Sequence, residues 1–391
     1  MRWIGRVMVI VFLMILALLP PAINAQIMTG AEQKELYFPL LNGKQIGVVA
    51  NQASVTGNIN IVDLLVNQGF HVSRIFSPEH GFRKSAQAGQ TIGNSVDSAT
   101  GIRVVSLYGA GKKPVAEDIK SLDLILFDIQ DVGVRFYTYI STLSYVMEAC
   151  AENKVPLILL DRPNPNGFYI DGPVLEKKYA SFVGLHEVPV VYGMTIGEYA
   201  QMVNGEGWLK NGVRCDLRVI PLAKYTHQTR CELTAKPSPN LPNLNAINLY
   251  PSLCFFEGTH ISVGRGTLFP FEVYGHPDLD YGVFTFIPES APGSGFHPPL
   301  EGLKCRGEDL RKFYTDNPTE SGKILLHWLM KAYQAWNDTA TPFFTDYFNK
   351  LAGTGILKNQ IIQKKSEKEI RKSWKTGIEK FKKIRRRYLL Y

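Results

Sequence analysis

The chain has 391 residues with a formal net charge of +8, and it is 45% hydrophobic and 20% charged. That length and apolar content allow a substantial core and exceed one average domain, so we expect two domains. The 11% aromatic content, with 34 Gly and 23 Pro spread along the chain, excludes disorder, collagen and coiled coil. The sequence therefore predicts a folded, loop-rich protein.

The first 25 residues have the pattern of a secretory leader. Arg2 and Arg6 supply a basic start, an apolar run covers residues 7–19, and small residues precede Gln26. An uncleaved membrane anchor is the alternative, but the apolar run is short for a membrane span. We expect an exported, periplasmic or secreted protein with a signal peptide over residues 1–25 and no stable membrane insertion after its removal.

The positive charge belongs to one segment. Without the leader the formal charge falls from +8 to +6, because the leader contains two Arg and no acid. Residues 361–391 contain 12 Lys and Arg against 3 Glu, a net +9 that leaves −3 on residues 26–360. Because the basicity is confined to this tail, we expect no nucleic-acid partner.

Short β-branched runs alternate with helical stretches in the first half, a pattern that predicts a parallel sheet. The expected strands are residues 45–50, 71–76, 103–108, 124–129 and 156–160. The expected helices are residues 61–68, which end at Gly69, and residues 138–153. This βαβ repetition predicts a doubly wound α/β sheet in a first domain over residues 26–187.

Beyond residue 187 the pattern becomes irregular, with dense Pro and Gly, and we expect a smaller α+β domain over residues 188–391. Its end is predicted to be a basic amphipathic helix. The apolar residues of that helix recur at steps of three and four: Ile370, Trp374, Ile378, Phe381, Ile384 and Tyr388. We expect this helix to dock with its basic face in solvent; attraction of that face to an anionic polymer or membrane surface is the alternative.

The common catalytic and cofactor signatures are absent. No GxGxxG follows the first expected strand, and residues 108–113 lack the glycine and hydroxyl positions of a Walker A loop. The chain also contains no GxSxG and no HExxH. We therefore expect no cofactor and no bound metal.

Polar residues crowd the carboxyl ends of three expected strands, where open α/β sheets bind ligands. They are Glu79 and His80 after one strand, Asp128, Gln130 and Asp131 after another, and Asn164 after a third. Partial desolvation would hold a proton on Glu79 for donation, whereas a carboxylate near Arg135 would stay ionised. Two acids in opposite states are what glycoside hydrolysis requires. A loop cap or helix N-cap is the structural alternative for Asp131.

The second half offers two more charged residues in glycine-containing segments. Glu257 lies in residues 255–259 and Arg265 in residues 262–267. Neighbouring glycines let the backbone approach a ligand closely, so we place both charges in a cleft. A structural ion pair in a turn-rich linker is the alternative.

Seven segments between Gly43 and the end of the chain resemble, in order, the DUF1343 family. They are SPEHGF (77–82), SLYG (106–109), FDIQDVGVRFYTYI (127–140), LDRPNPNG (160–167), YGMTIGE (192–198), LYPSLCFFEGT (249–259) and SVGRGT (262–267). The resemblance implies a Rossmann-like domain joined to the smaller domain, with the site between them. The sequence departs from the family pattern at Lys84 and Gln90.

The resemblance also implies an activity. It indicates an exo-acting glycosidase of β-hexosaminidase type that releases N-acetylmuramic acid from the non-reducing end of peptidoglycan fragments, such as muropeptides or disaccharides. Glu79 is the expected general acid, and Glu257 or Asp131 the expected nucleophile or base. The family's motif acids also include Asp128, and His80 adjoins the acid.

N-acetylmuramic acid carries a lactyl carboxylate, which an Arg can bind through two parallel hydrogen bonds. Arg135 and Arg265 are the expected partners of that carboxylate. Tyr137 or Tyr139 is expected to stack on the sugar, and Asn164 or Gln130 to bond its N-acetyl group.

Two other functions fit the same residues. One is a non-catalytic protein that binds cell-wall glycan. The other is a metal-assisted hydrolase or deacetylase that uses His80, Asp128 and Asp131, although their spacing is not a specific metal signature.

Overall fold

The computed structural model describes residues 26–83, 93–109, 111–290, 297–338 and 340–391. The expected leader, as well as Lys84 and Gln90, lies outside these residues. The strands are β1 (Ile46–Ala50), β2 (Val55–Thr56), β3 (Ile59–Asn60), β4 (Val72–Ser77), β5 (Ser95–Val96), β6 (Arg103–Ser106), β7 (Leu124–Asp128), β8 (Leu157–Leu160), β9 (Leu217–Ile220), β10 (Val273–His276), β11 (Phe284–Phe286) and β12 (Cys305–Asp309).

The α-helices are α1 (Lys34–Leu41), α2 (Ile61–Asn67), α3 (Ala116–Ile119), α4 (Tyr139–Asn153), α5 (Ile196–Gly205), α6 (Leu244–Leu253), α7 (Phe313–Asp316), α8 (His327–Gln334), α9 (Phe348–Ala352), α10 (Ile356–Ile362) and α11 (Glu367–Arg385). A 3₁₀ helix, Cys254–Gly258, continues directly from α6. Within the described residues, no helix has both the length and the apolar character needed to cross a membrane.

A seven-stranded sheet forms the centre of the molecule, in the order β5-β6-β4-β1-β7-β8-β9. Its neighbouring strands run parallel, apart from β5, which pairs antiparallel with β6 at one edge. Across the sheet the six parallel strands therefore follow the chain order third, second, first, fourth, fifth, sixth. Because this order reverses beside β1, the arrangement is doubly wound, and it confirms the predicted α/β class.

The central strands could be predicted from the sequence because they are buried. All five residues of β1 and all five of β7 are buried. Crossover helices cover both faces of a parallel sheet, so its inner strands are continuous apolar runs rather than alternating ones. The predicted strands and the helices α2 and α4 are found within two residues of their expected ends.

The sheet extends further along the chain than predicted. Strand β9 pairs parallel with β8, and the helix α5 makes the crossover between them. The predicted boundary at residues 187/188 would cut this last βαβ unit, so the structure moves the boundary past Ile220. Strand β9 was not predicted because the strand has only four residues, one of which is the exposed Arg218.

The smaller region has its own antiparallel sheet in the order β10-β12-β11. In this sheet Val273 pairs with Asp309 and Phe286 with Cys305. Helices α6 to α10 belong to the same half of the chain. The predicted α+β character of this region is therefore confirmed.

Helix α11 docks as expected. The Ser366 side chain caps its first turn by accepting from Glu369 N, and Ile370, Trp374 and Phe381 are buried on one face. The chain end packs back on the larger region, where the Tyr391 hydroxyl donates to Asp161 at 2.7 Å. Most basic residues of the helix are exposed on its outer side, whereas Arg371 pairs with Asp171 and Arg385 donates to Gly193 O.

The five cysteines are buried free thiols. Burial raises the pKa of Cys231 to about 11. Buried thiols of this kind behave as small hydrophobic side chains.

Candidate active site

A cavity of about 530 Å³ lies at the carboxyl ends of β4 and β6, closed from the other side by residues of the smaller region. Glu79 and His80 follow β4, and Tyr108 follows β6. Glu257 enters from the 3₁₀ helix after α6, and Tyr347 from the start of α9. The cavity is thus built from both regions, at the edge where a doubly wound sheet is expected to bind ligands.

The turn after β4 presents Glu79 to this cavity. His80 and Gly81 both have left-handed backbones, with φ of 74° and 80°, which reverse the chain directly after the acid. A non-glycine residue in this conformation is uncommon, and strained residues of this kind cluster at functional sites. The Thr138 hydroxyl donates to Glu79 Oε2 at 3.1 Å. Glu79 is half-buried and faces a ligand-sized space rather than the protein interior.

The second acid is held by a guanidinium. Arg265 Nε lies 2.5 Å from Glu257 Oε1, and both side chains are less than a quarter exposed. The charge and hydrogen bond of Glu257 outweigh the desolvation of Arg265, so the pKa of Arg265 is raised. The Cys254 thiol donates to the other carboxylate oxygen at 3.5 Å, and burial raises the pKa of that thiol well above its ordinary value. Glu257 therefore forms an ion pair that opens on the cavity.

Glu79 and Glu257 both raise the pKa of one neighbouring hydroxyl, that of Tyr347. The pKa of Tyr347 is raised by burial first and then by acidic groups that include Glu257 and Glu79. The pKa of Tyr108 also depends on both groups. It is raised to about 12, first by burial and then by Glu79, while Arg265 lowers it. Glu79 and the Glu257–Arg265 pair are consequently close enough to share electrostatic partners.

Aromatic rings form one wall of the cavity. Tyr137 and Tyr139 meet edge to face with centroids 4.8 Å apart, and Tyr250 meets Phe271 in the same way at 4.8 Å. Tyr137 is 7% exposed and Tyr139 is 2% exposed. Because so little of either ring is accessible, the expected face-on stacking with a sugar has no free ring face here. Their position indicates a rigid apolar wall instead.

Two lysines at the cavity were missed by the sequence reasoning. Lys112 Nζ lies 4.8 Å from the centre of the Phe182 ring. Lys350 is exposed on α9, one helical turn after Tyr347, and has no ion pair among the described residues. Together with Arg265 these lysines outnumber the two acids, so the charged residues that line the cavity sum to +1.

Asp128 does not reach the cavity. Its carboxylate accepts two hydrogen bonds from Arg162, from Nε at 2.5 Å and from Nη2 at 2.8 Å, and neither side chain is more than 2% exposed. The Ser54 hydroxyl donates to the Asp128 carbonyl oxygen. This buried ion pair joins β7 to the end of β8, so the structure gives Asp128 a scaffolding role in place of the expected catalytic one.

Asp131, Gln130 and Asn164 are also buried structural groups. The Gly133 amide at 2.7 Å and the Tyr192 hydroxyl donate to Asp131, and burial raises its pKa to about 6. Gln130 donates to the carbonyl oxygens of Asp131 and Pro163, and it lines a separate cavity of about 720 Å³. Asn164 donates to Met194 O at 2.7 Å and packs against Gly133. None of the three lines the 530 Å³ cavity.

Arg135 is enclosed by carbonyl groups. Its guanidinium donates to the backbone oxygens of Pro173, Val188, Leu351 and Ala352 at 2.7–2.9 Å, and it is 0% exposed. Burial lowers the pKa of Arg135 to about 9. The expected contact with a lactyl carboxylate is excluded by this burial. Arg135 instead fixes the end of α9, the helix that presents Lys350.

The metal-assisted alternative lacks a coordinating group of residues. Of its three proposed ligands, His80 lines the cavity, whereas Asp128 and Asp131 are engaged in the interior. In the part of the chain that the structure describes, no three His, Cys, Asp or Glu side chains are grouped to hold a metal ion.

The described geometry defines a class of protein. It is a doubly wound α/β protein with a smaller α+β region, and a cleft lined by carboxylates and aromatic rings lies between the two.

Comparison with known proteins places the chain within this class. Residues 46–245 match the profile described as "Exo-beta-N-acetylmuramidase NamZ, N-terminal", and residues 248–391 match its C-terminal counterpart. The peptidoglycan beta-N-acetylmuramidase NamZ of Bacillus subtilis (strain 168) is 39% identical over 376 residues, which cover 91% of this chain and 89% of that protein. The chain therefore belongs to the NamZ family, and the division between the two profiles falls after β9.

Two crystal structures of DUF1343 family proteins from Bacteroides fragilis NCTC 9343 have the same fold. One is 45% identical with a TM-score of 0.86, covering 94% of this chain and 99% of that one. The other is 29% identical with a TM-score of 0.77, covering 93% and 99%. The resemblance drawn from the seven sequence segments is confirmed by these matches.

Proposed function

We propose that this protein is an exo-β-N-acetylmuramidase, a glycosidase that releases N-acetylmuramic acid from the non-reducing end of peptidoglycan fragments. The observation that supports it most is the pairing of Glu79 and Glu257 in one cavity, in a chain that belongs to the NamZ family. The bond cleaved joins a 2-acetamido sugar through a β-linkage, as in reactions of β-hexosaminidase type.

The two acids have different surroundings, which suits different roles. Glu79 is held by neutral hydroxyl groups, with the Thr138 donor at 3.1 Å, so it is the side chain that delivers a proton to the departing glycosidic oxygen. Glu257 is held as a carboxylate by Arg265 at 2.5 Å, so it faces the anomeric carbon as nucleophile or base. Because Asp131 is bound by Tyr192 in the interior, Glu257 is the remaining candidate for the second acid.

The positive excess of the cavity suits a substrate that is itself an anion. The lactyl carboxylate of N-acetylmuramic acid needs a cation, and Arg265 is already paired with Glu257. Lys350 has no ion pair in the described structure and lies one turn from Tyr347, so we assign the lactyl carboxylate to Lys350. Lys112 at the Phe182 side of the cavity adds to the same attraction.

The leader over residues 1–25 supports a proposed location outside the cytoplasm, in the periplasm or secreted. The protein would encounter peptidoglycan fragments in either place. Fractionation of cells that express the full chain tests this: the product should be shorter than the full chain and absent from the cytoplasmic fraction, and an intact cytoplasmic product would contradict the proposal.

The activity is tested by incubating the protein with a disaccharide of N-acetylmuramic acid β-1,4-linked to N-acetylglucosamine. We expect the two free sugars as products, and the isomer with N-acetylglucosamine at the non-reducing end should be left intact. Tight binding of the first disaccharide without cleavage would contradict a glycosidase and favour the non-catalytic glycan-binding function.

A further inference from the structure

Helix α11 has a row of cations that the cavity does not use. Six basic side chains of this helix and its C-cap residue are exposed and have no ion pair among the described residues: Lys368, Lys372, Lys375, Lys380, Lys383 and Arg386. All of these except Lys380 lie on one side of the helix, and we call these five the basic ridge. The other half of the helix circumference is occupied by its buried apolar face. The basic ridge is therefore a surface held outward by the packing of the helix.

The five cations lie along one line. At about 100° per residue they fall within an arc of about 80°, and at about 1.5 Å per residue they extend over about 27 Å. Glu379 is the acid within this arc, and it is engaged by Lys382 at 2.9 Å. Lys382 lowers the pKa of Glu379, and Lys375 and Arg386 lower it further, which agrees with a shared face.

A groove of about 440 Å³ runs beside the basic ridge. Lys368, Lys372 and Lys375 line it, and Ile170 and Ile378 supply apolar surface. Both acids that line the groove are paired: Asp171 with Arg371 at 2.7 Å, and Glu379 with Lys382 at 2.9 Å. The groove is thus a concave surface in which cations are free and the neighbouring acids are neutralised.

We propose that the basic ridge and its groove bind the anionic glycan strand of peptidoglycan, so that the protein stays on the polymer from which its substrate is derived. The identity of the polymer rests on the proposed function. A strand that carries carboxylates along its length is a linear array of charge, and it matches a line of cations that is about 27 Å long. Its sugar rings can also cover the exposed parts of Ile170 and Ile378 in the groove.

The same features argue against a bilayer as the partner. An interfacial helix inserts aromatic and aliphatic side chains below the lipid headgroups. In α11 the large apolar residues Trp374 and Phe381 are turned inward, at 5% and 2% exposure. A flat membrane also cannot enter a groove, whereas an extended glycan strand can.

The proposal is tested by sedimentation with purified insoluble peptidoglycan. The ridge variant combines Lys368→Gln, Lys372→Gln, Lys375→Gln and Lys383→Gln. The matched control removes the same charge at four exposed lysines elsewhere on the chain: Lys44→Gln, Lys120→Gln, Lys210→Gln and Lys304→Gln. We expect the ridge variant to lose about tenfold or more in affinity at low ionic strength, and the control less than twofold. Raising the salt should weaken the wild type much more than the ridge variant.

Turnover of the soluble disaccharide separates this proposal from the proposed function. Both fourfold variants should cleave the disaccharide at the wild-type rate, because neither set of lysines lines the cavity. Absence of disaccharide cleavage in the wild type would contradict the glycosidase alone. Equal peptidoglycan affinity in wild type and ridge variant, equal losses in both variants, or ridge-dependent binding to vesicles of anionic lipid in place of peptidoglycan would each overturn the basic ridge as a glycan site.

Discussion

Two polar segments, which follow the strands on either side of β1, differ in their surroundings. The segment after β4 presents Glu79 to a cavity that is also lined by Glu257, Arg265 and Lys350 of the smaller region. The segment after β7 has more charged residues, yet Asp128, Asp131 and Arg135 are all buried and are bound by groups inside the protein. Density of acids at a strand end is therefore a poor guide to chemistry. What distinguishes the two segments is whether partners within the protein already satisfy the side chains.

The largest expected effect comes from amide substitutions that contrast the two segments. Glu79→Gln should reduce kcat on a chromogenic N-acetylmuraminide by about 10²–10⁴-fold, because it removes the proton donor without removing a buried partner. Asp131→Asn, in the other segment, should keep kcat within about threefold in the folded protein. Near-wild-type turnover of Glu79→Gln, or equal losses in both variants, would contradict this contrast.

Arginine substitutions test the same contrast through stability. Arg135→Ala should lower the free energy of unfolding by about 3–5 kcal/mol, because four buried carbonyl oxygens lose their donors. Arg265→Ala, at a partly exposed site, should lower it far less while reducing turnover. Urea unfolding and kcat are measured for both variants. An Arg135→Ala protein as stable as the wild type would remove the scaffolding role.

The buried carboxyl of Asp131 predicts a pH dependence. Burial raises its pKa from 3.8 to about 6, so the folded protein binds this proton more tightly than the unfolded chain. Its contribution to stability is therefore complete below about pH 4 and is lost as the pH rises through about 6, a change of about 3 kcal/mol. Asp131→Asn cannot ionise, and its oxygen can still accept from Gly133 and Tyr192.

Unfolding free energies of wild type and Asp131→Asn between pH 4 and 7 measure this effect. We expect the variant to gain relative to the wild type as the pH rises, by up to about 3 kcal/mol. Asp161, whose pKa is also raised to about 6 by burial, contributes equally to both proteins. A constant difference across this range, or one of opposite sign, would show that Asp131 is not a desolvated carboxyl.

The smallest expected effect concerns substrate choice. Lys350→Ala should lower kcat/KM for an N-acetylmuraminide by about tenfold, because it removes the cation assigned to the lactyl carboxylate. For the corresponding N-acetylglucosaminide, which lacks that carboxylate, the change should be less than twofold. The exposed Lys44→Ala serves as the control. Equal losses on both substrates would place Lys350 outside carboxylate recognition.

Most of the larger region could be predicted from the sequence because its core strands are local apolar runs. Runs such as residues 46–50 and 124–127 are apolar throughout, and a buried parallel strand needs no further signal. Strand β9 escaped because Leu217–Ile220 is short, includes a charged residue, and follows a long irregular stretch. The domain boundary was misplaced for the same reason.

Only part of the candidate active site could be predicted from the sequence. Glu79, Glu257 and Arg265 stand in segments where glycine or proline fixes the backbone, and the fold brings these segments together. Asp128 and Asp131 are structural because they bind Arg162 and Tyr192, which are 34 and 61 residues away along the chain. Partners at that separation leave no signal in the local sequence. Tyr108 could have been found, since it is the last residue of a predicted strand.

Tyr347 and Lys350 could not have been found in this way. They belong to a short helix without a motif, and only the fold brings that helix to Glu79. Arg135, which holds the end of the same helix, was instead taken for a ligand contact because its partners are backbone carbonyls. Backbone partners leave no trace in the side-chain pattern.

The crystal structure of the Glu79→Gln variant with the intact disaccharide of N-acetylmuramic acid and N-acetylglucosamine tests the central claim most directly. The account predicts that the disaccharide occupies the 530 Å³ cavity, with its glycosidic oxygen within hydrogen-bond distance of the side chain at position 79 and Glu257 facing the anomeric carbon. A disaccharide bound in the 720 Å³ cavity beside Arg162, or one whose anomeric carbon is remote from Glu257, would contradict it.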